Sequence, residues 1–209
     1  MVRRPIFEFW YEFASPYSYL SAMRIERLAQ EAEVELVWRP FLLGPIFKAQ
    51  GWETSPFALY PDKGRYMWRD MEREAVRFGL PLYRPVSFPQ NTLLAARIAL
   101  VGLDLGWTPL FTKAAYMAEF GEGRDLSDGQ VLSGILSGLG LDPDSVMAEA
   151  QSENNKTRLR RLNEKAQGRG VFGAPAFFAE DGEMFWGNDR LEQALDWAKT
   201  QARRSEVPL

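Results

Sequence analysis

A mixed α/β fold is predicted, its sheet built from the two ends of the chain with a long helical block between them. Three features carry this expectation: a strand–helix–strand pattern over residues 5–40, helical periodicity without strand character over residues 62–154, and two short strand-like runs followed by a helix after Gly173.

From Pro5 to Phe13 the residues alternate, with Phe7, Phe9, Tyr11 and Phe13 on one face and Ile6, Glu8, Trp10 and Glu12 on the other. Period two with aromatic enrichment is strand behaviour. From Pro16 to Glu33 the period becomes helical, with Tyr17, Ser21, Ile25, Leu28 and Ala32 on one stripe. Val34 to Pro40 reads as a second strand, ended by a proline that has no N–H for a ladder. Strand, helix and strand in so short a span form a βαβ unit, which favours a parallel pair. Phe41 to Pro61, with scattered Gly and Pro, reads as a short helix and a long loop, and loops of that length are commonly functional.

The helical block follows. Asp62 is expected to cap a helix running to Phe78, with Gly79 and Pro81 as stop signals. Asn91 starts a second, Thr108-Pro109 a third that ends near Gly121, Ser127 a fourth and Asp142-Pro143 a fifth. Lys156 to Gly168 is a further, basic helix (Arg158, Arg160, Arg161, Lys165) whose charge run reads as a solvated face. Ala176–Ala179 and Glu183–Trp186 are joined through Asp181-Gly182, a strong hairpin signal. Asn188 is expected to cap a last helix that buries Leu191, Ala194, Leu195 and Ala198, and the tail from Arg203 is expected to fray. The order is βαβ, helices, ββα: a thioredoxin-like sheet with an all-helical insertion. Residues 1–61 and 156–209 are expected to form the thioredoxin-like domain and 62–155 the inserted helical domain.

Composition removes whole classes of chemistry. The 209 residues include neither Cys nor His. That excludes disulfides, thiol nucleophiles, thiolate metal sites, the Ser-His-Asp triad and imidazole ligation, so no metal site is expected. A reactive group must be a carboxylate, Lys, Tyr or Ser, or must come from a ligand. Net charge of −3 argues against a nucleic-acid or anionic-membrane surface, and no apolar run approaches the ~20 residues of a membrane span. Arg3 and Arg4 before an aromatic run resemble a signal peptide, but Glu8 and Glu12 interrupt the run, so a cytoplasmic location is expected.

Three short stretches are the candidates for chemistry. In EFASPYSYL, Ser15 has the pattern of a helix N-cap with proline at N1. The same position, where a strand's carboxyl end meets a helix start, also suits an anion such as a thiolate, to which Ser15 Oγ could donate. In VFGAPAFF, Ala174-Pro175 is either a plain turn into a strand or a place where the backbone of Ala174 pairs with an extended peptide. In FWGNDRL, Asn188 and Asp189 read as helix cap and first-turn acid, or as a clamp for an amino-acid head group.

These stretches, together with VWRPFLLGPIFK and PDKGRYMWRDM, resemble the 2-hydroxychromene-2-carboxylate isomerases and, behind them, the kappa-class glutathione transferases within the DsbA-like branch of thioredoxin folds. The likeness runs over nearly the whole chain in the same order. It implies glutathione as cofactor. Ser15 would stand where a redox cysteine stands in other members and face the glutathione sulfur. Ala174, before a cis-Pro175, would pair with the cysteinyl part, and Asn188, Asp189 and Arg190 would hold the γ-glutamyl end. Lys63 would reach the glycyl carboxylate or the reacting centre. Family members often carry Asp where this chain has Glu12, which leaves the role of Glu12 open.

The resemblance and the missing thiol point the same way: a bound thiolate is the nucleophile, and the protein positions and ionises it. It would add to the conjugated enone of an aromatic pyruvate, the bond would rotate, and elimination would release the isomer. Lys63 and Arg39 are candidates to stabilise the enolate, with Arg39 also readable as an ordinary ion-pair partner. Phe41, Leu42, Trp52 and Tyr60 are candidates to line an apolar slot for a small aromatic substrate, and Asn91 to contact it or merely cap its helix. A homodimer is what the resemblance suggests. Alternatives are a kappa-like glutathione S-transferase and a non-enzymatic module binding glutathione or a peptide. A disulfide oxidoreductase is excluded by the absence of cysteine.

Overall fold

The computed structural model describes residues 3–205. Four strands, β1 (Ile6–Tyr11), β2 (Glu35–Pro40), β3 (Ala176–Phe178) and β4 (Met184–Trp186), make one sheet in the order β2-β1-β3-β4. β1 and β2 are parallel, with Phe9 opposite Trp38, whereas β3 lies antiparallel to both β1 and β4. The expected βαβ and ββα units are both present. The hairpin turn holds Gly182 at φ 91°, the left-handed region that glycine enters without a Cβ penalty.

The expected first helix is two: α1 (Pro16–Ala22) and α2 (Ile25–Glu31). Arg24 explains the break. Its backbone N–H bonds Ser21 O at 3.0 Å, and its guanidinium Nε takes Leu20 O at 3.3 Å instead. The rest of that guanidinium reaches Asn188 and Glu192 and lies 3.8 Å from the centre of the Phe78 ring. The expected short helix and long loop contain α3 (Leu43–Ala49) and one turn, α4 (Pro56–Leu59).

The helices between β2 and β3 continue with α5 (Pro61–Phe78), α6 (Leu93–Leu105) and α7 (Thr108–Tyr116), which runs on as a π-helical turn, Met117–Gly121. Then come α8 (Gly129–Gly138), α9 (Pro143–Ala150) and α10 (Glu153–Gly168). Several starts differ from expectation by a residue or two. Tyr60 rather than Asp62 is the cap of α5, because Pro61 takes N1 and leaves Asp62 in the first turn. Asp128, not Ser127, caps α8 through a 2.8 Å bond from Gln130 N–H. Asp142 caps α9 as expected. Asn188 opens a 3-10 turn (Asn188–Arg190) before α11 (Leu191–Ser205), so it is not a helix cap. The expected frayed tail falls mostly outside the described residues.

The sheet divides the interior. On one face Phe7, Phe9 and Tyr11 pack with Leu20, Ile25, Leu191 and Leu195 from α1, α2 and α11 and join the large core of the intervening helices. On the other face Trp10, Ala176 and Phe178 pack with Phe41, Ile46 and Ala166 from the β2–α3 junction, α3 and α10. Glu8 shares this second face. It accepts from Arg39 Nε at 3.0 Å, from Trp10 Nε1 at 3.1 Å and from Arg169. Burial alone would raise its carboxyl, but those donors outweigh it and hold the group below the usual carboxylate range. Lys165 also faces Glu8 at 3.8 Å, so one end of the basic α10 run is a charge partner rather than solvated surface.

Candidate active site

β1 ends at Tyr11, and the next four residues make a turn closed by Ser15 N–H on Glu12 O at 3.0 Å. That turn delivers Ser15 to the start of α1. Ser15 is buried and has extended backbone, and its Oγ accepts from Ser18 N–H at 3.2 Å, with Pro16 at N1. The cap is therefore real. The same Oγ donates to Ala174 O at 3.0 Å across 159 positions of sequence. α1 is only seven residues long, so its dipole is small and the hydroxyl is the stronger local donor.

Ala174-Pro175 is a cis peptide. Pro175 O accepts Gly187 N–H at 3.0 Å, which brings in the third stretch. There Asn188 is buried, and its Oδ1 accepts from Ser21 Oγ and from Arg24 Nη2, both at 3.0 Å. Its side chain thus pins the turn to α1 rather than facing outward. Gly187 sits at φ 106°, and a Cβ there would come 2.6 Å from Asp189 Oδ1. The side chains of Asp189 and Arg190 are 72% and 54% exposed and lie 3.7 Å apart. The three stretches thus meet at α1, the second bonded to Ser15 and the third to Pro175, Ser21 and Arg24.

The other expected site residues divide. Lys63 is exposed in the first turn of α5, two turns before Asp70 on the same stripe, about 10 Å along the axis. Asp70 accepts from Tyr17 OH at 2.9 Å, which places this stripe beside α1. Burial, then Asp70, pushes the Tyr17 phenol up, with Asp189 adding a smaller contribution in the same direction. Gly64 lets α4 approach, since a Cβ there would fall 2.3 Å from Phe57 O. Trp52 is half-buried against Phe47 with ring centres 5.7 Å apart, and Tyr60 is exposed. Asn91 is exposed and accepts Leu93 N–H at 3.2 Å, a local turn bond.

Arg39 and Phe41 are elsewhere. The Arg39 guanidinium is held by Glu8 on the face that α10 covers, and Phe41 is fully buried against Trp10 in the second core. Leu42 is half-buried, with its N–H on Asn163 Oδ1 at 3.0 Å.

Of the polar groups beneath the Ser15 turn the sequence singled out only Glu12, with its role open, and not Thr92 or Tyr116. Glu12 is buried and accepts from Thr92 Oγ1 and from Ala14 N–H, while Tyr116 OH donates to its backbone oxygen at 2.8 Å. Burial pushes its carboxyl up to about 7 against those two donors. Asp70 was missed as well. Its only signal was its place on a helix carrying one of the quoted motifs.

A fold of this order, with Ser15 and a cis-proline turn in contact, defines a DsbA-like thioredoxin domain, and the model of the DSBA-like thioredoxin domain family matches residues 6–197. The chain belongs to that family and, within it, to the 2-hydroxychromene-2-carboxylate isomerases. It is 33% identical over 186 residues to the 2-hydroxychromene-2-carboxylate isomerase of Sphingobium xenophagum, covering 88% of this chain and 93% of that protein. It is 27% identical over 198 residues to glutathione S-transferase kappa 1 of Homo sapiens, covering 88% and 87%. A solved 2-hydroxychromene-2-carboxylate isomerase superposes with a TM-score of 0.85 at 26% identity, over 96% of this chain and 97% of that one. Among the described residues no helix is long and apolar enough to cross a membrane.

Proposed function

We infer that this chain is a glutathione-dependent isomerase that converts 2-hydroxychromene-2-carboxylate to trans-o-hydroxybenzylidenepyruvate or acts on a related aromatic catabolite. The observation that carries this is the Ser15–Ala174 contact, a hydroxyl donor meeting a turn carbonyl in a chain with no thiol or imidazole. The names of the relatives, isomerases and glutathione transferases, support it.

The residues suit a thiol-bearing tripeptide. When bound, glutathione supplies the sulfur nucleophile whose reversible addition to the conjugated enone lets the former double bond turn and re-form. Ser15 Oγ has one hydrogen, given to Ala174 O in this structure, and turning it toward an anionic sulfur exchanges a neutral bond for a charge-assisted one. Ala174 offers backbone to an extended peptide, and Pro175 shapes the turn that does so. Asn188, its side chain engaged by Ser21 and Arg24, fixes the turn that presents Asp189 to an ammonium and Arg190 to a carboxylate. Lys63 is the cation for the glycyl carboxylate or for negative charge growing on the substrate oxygen. With Arg39 held by Glu8 and Phe41 in the core, Trp52, Tyr60 and Asn91 remain for the aromatic substrate.

The match to kappa transferases favours a second reading, transfer of glutathione to an electrophile. An ultraviolet difference spectrum on adding glutathione, then isomerisation assayed with and without it, tests both. A thiolate band with turnover and no glutathione consumed supports the isomerase, whereas consumption supports the transferase. No band and no dependence on glutathione sinks both and leaves a binding module.

A further inference from the structure

Two buried carboxyl groups beneath the Ser15 turn interact electrostatically, and among the described residues neither has a cation as partner. Glu12 is 7% exposed, and Glu119, in the π-helical turn after α7, is fully buried with neither carboxyl oxygen hydrogen-bonded. π-helical turns recur at functional sites. The groups that face the pair come from every element around it: Thr92 at the start of α6, Tyr116 on α7, Ala14 N–H in the turn, and Asp125 beyond the π turn. Ser18 on α1 lies against Tyr116, and Tyr11 of β1 is engaged with Thr112 at 2.8 Å. Among the described residues neither carboxyl forms an ion pair, although Glu8, on the other face of the sheet, has three cations.

Burial, reinforced by the charges of Glu12 and Asp125, holds Glu119 well above the usual carboxylate range, so it stays neutral. Glu12 is then the member that exchanges a proton, and burial sets it at about 7. For stability alone this arrangement is poor, since a buried carboxylate without a cation is costly to desolvate. Ser15 cannot be the base: its Oγ already accepts Ser18 N–H and has its own hydrogen to place. Glu12 closes the turn that carries Ser15 and bonds the amide of the residue just before it.

We propose that Glu12 receives the thiol proton when a thiol ionises at Ser15. This rests on the glutathione reading above. In the step the S–H bond breaks, its electron pair stays on sulfur, and the proton passes to a Glu12 carboxylate oxygen directly or through one water. The charge moves from carboxylate to sulfur, no oxidant or reductant is needed, and the proton stays in the protein.

The test counts protons. Glutathione is titrated into the full chain by calorimetry in two buffers of different ionisation enthalpy, at a pH just above neutrality. There Glu12 is mostly ionised and a free thiol, with pKa ~8.5, is mostly protonated. Thiolate is counted by its ultraviolet absorbance. The wild type should release close to no proton per thiolate formed, whereas Glu12→Gln should release roughly one. The acid limb of the wild-type rate near pH 7 should vanish in Glu12→Gln, a change that loss of packing does not produce. Thiolate formation with a full proton released by the wild type overturns this proposal alone, and it does so even if the variant fails to fold. Absence of glutathione binding overturns the functional reading and this proposal together.

Discussion

Replacing Ser15 by alanine removes two hydrogen bonds made by one oxygen. The cap to Ser18 N–H is worth ~1 kcal/mol, and stranding the partly exposed Ala174 carbonyl adds about as much. In a chain of this length a loss of about 2 kcal/mol lowers the melting temperature by roughly 4–8 °C. Urea unfolding monitored by tryptophan fluorescence measures it directly, with Ser15→Thr as the control that keeps both bonds. The folded variant should still take up glutathione but show little thiolate at neutral pH, because the hydrogen aimed at the sulfur is gone. An unchanged midpoint in Ser15→Ala would refute the claim that Oγ ties the start of α1 to the Ala174 turn. A normal midpoint shift with a normal thiolate band would refute Ser15 as activator while leaving its structural role standing.

Three further outcomes follow from other parts of the molecule. Arg169→Met should cost about 2 kcal/mol at neutral pH, less than for a fully buried pair because the Arg169 side chain is 26% exposed. Glu8 is held low in the folded state, so its contribution is lost as pH falls through that folded value, and the curves of the wild type and the Arg169→Met variant should converge in acid urea titrations. Gly64→Ala places a Cβ 2.3 Å from Phe57 O, a backbone atom that cannot step aside, and should destabilise by ~1–3 kcal/mol in a thermal melt. Glu12 has the opposite sign to Glu8: its folded value of about 7 lies above its unfolded one, so the native state binds the extra proton and stability falls as pH rises between roughly 4.5 and 7. Burial of this side chain makes that slope worth about 3 kcal/mol, and Glu12→Gln should flatten it.

The sequence carried what is local. Alternation marked β1, Asp-Gly marked the hairpin, and Ser-Pro marked the cap at the candidate site, because each depends on neighbours in the chain. What escaped depends on partners far away. The break at Arg24 exists because its guanidinium is drawn to Asn188 and Glu192, more than 160 positions on, and nothing in residues 16–33 records that. Phe41, just after the proline that ends β2, reads as lining of a substrate slot, yet a second core built with α3 and α10 encloses it. Glu119 continues the buried stripe of Thr108, Thr112 and Ala115 at helical spacing, but nothing local records that an acid on that stripe has no partner.

Three glutamates at the sheet and its carboxyl end show how this chain distributes acidity without histidine. Glu8 has guanidinium and indole donors and is held low, Glu12 has a hydroxyl and one amide and is raised to about 7, and Glu119 has neither and is raised further. Burial raises all three, least for Glu8, and the donors each receives widen that difference. The cations are gathered on the α10 face, where they neutralise a carboxylate that has only to stay ionised. By giving Glu12 a hydroxyl and an amide but no cation, the fold leaves beneath Ser15 an acid whose proton affinity sits near neutrality, which is the property histidine supplies in other proteins.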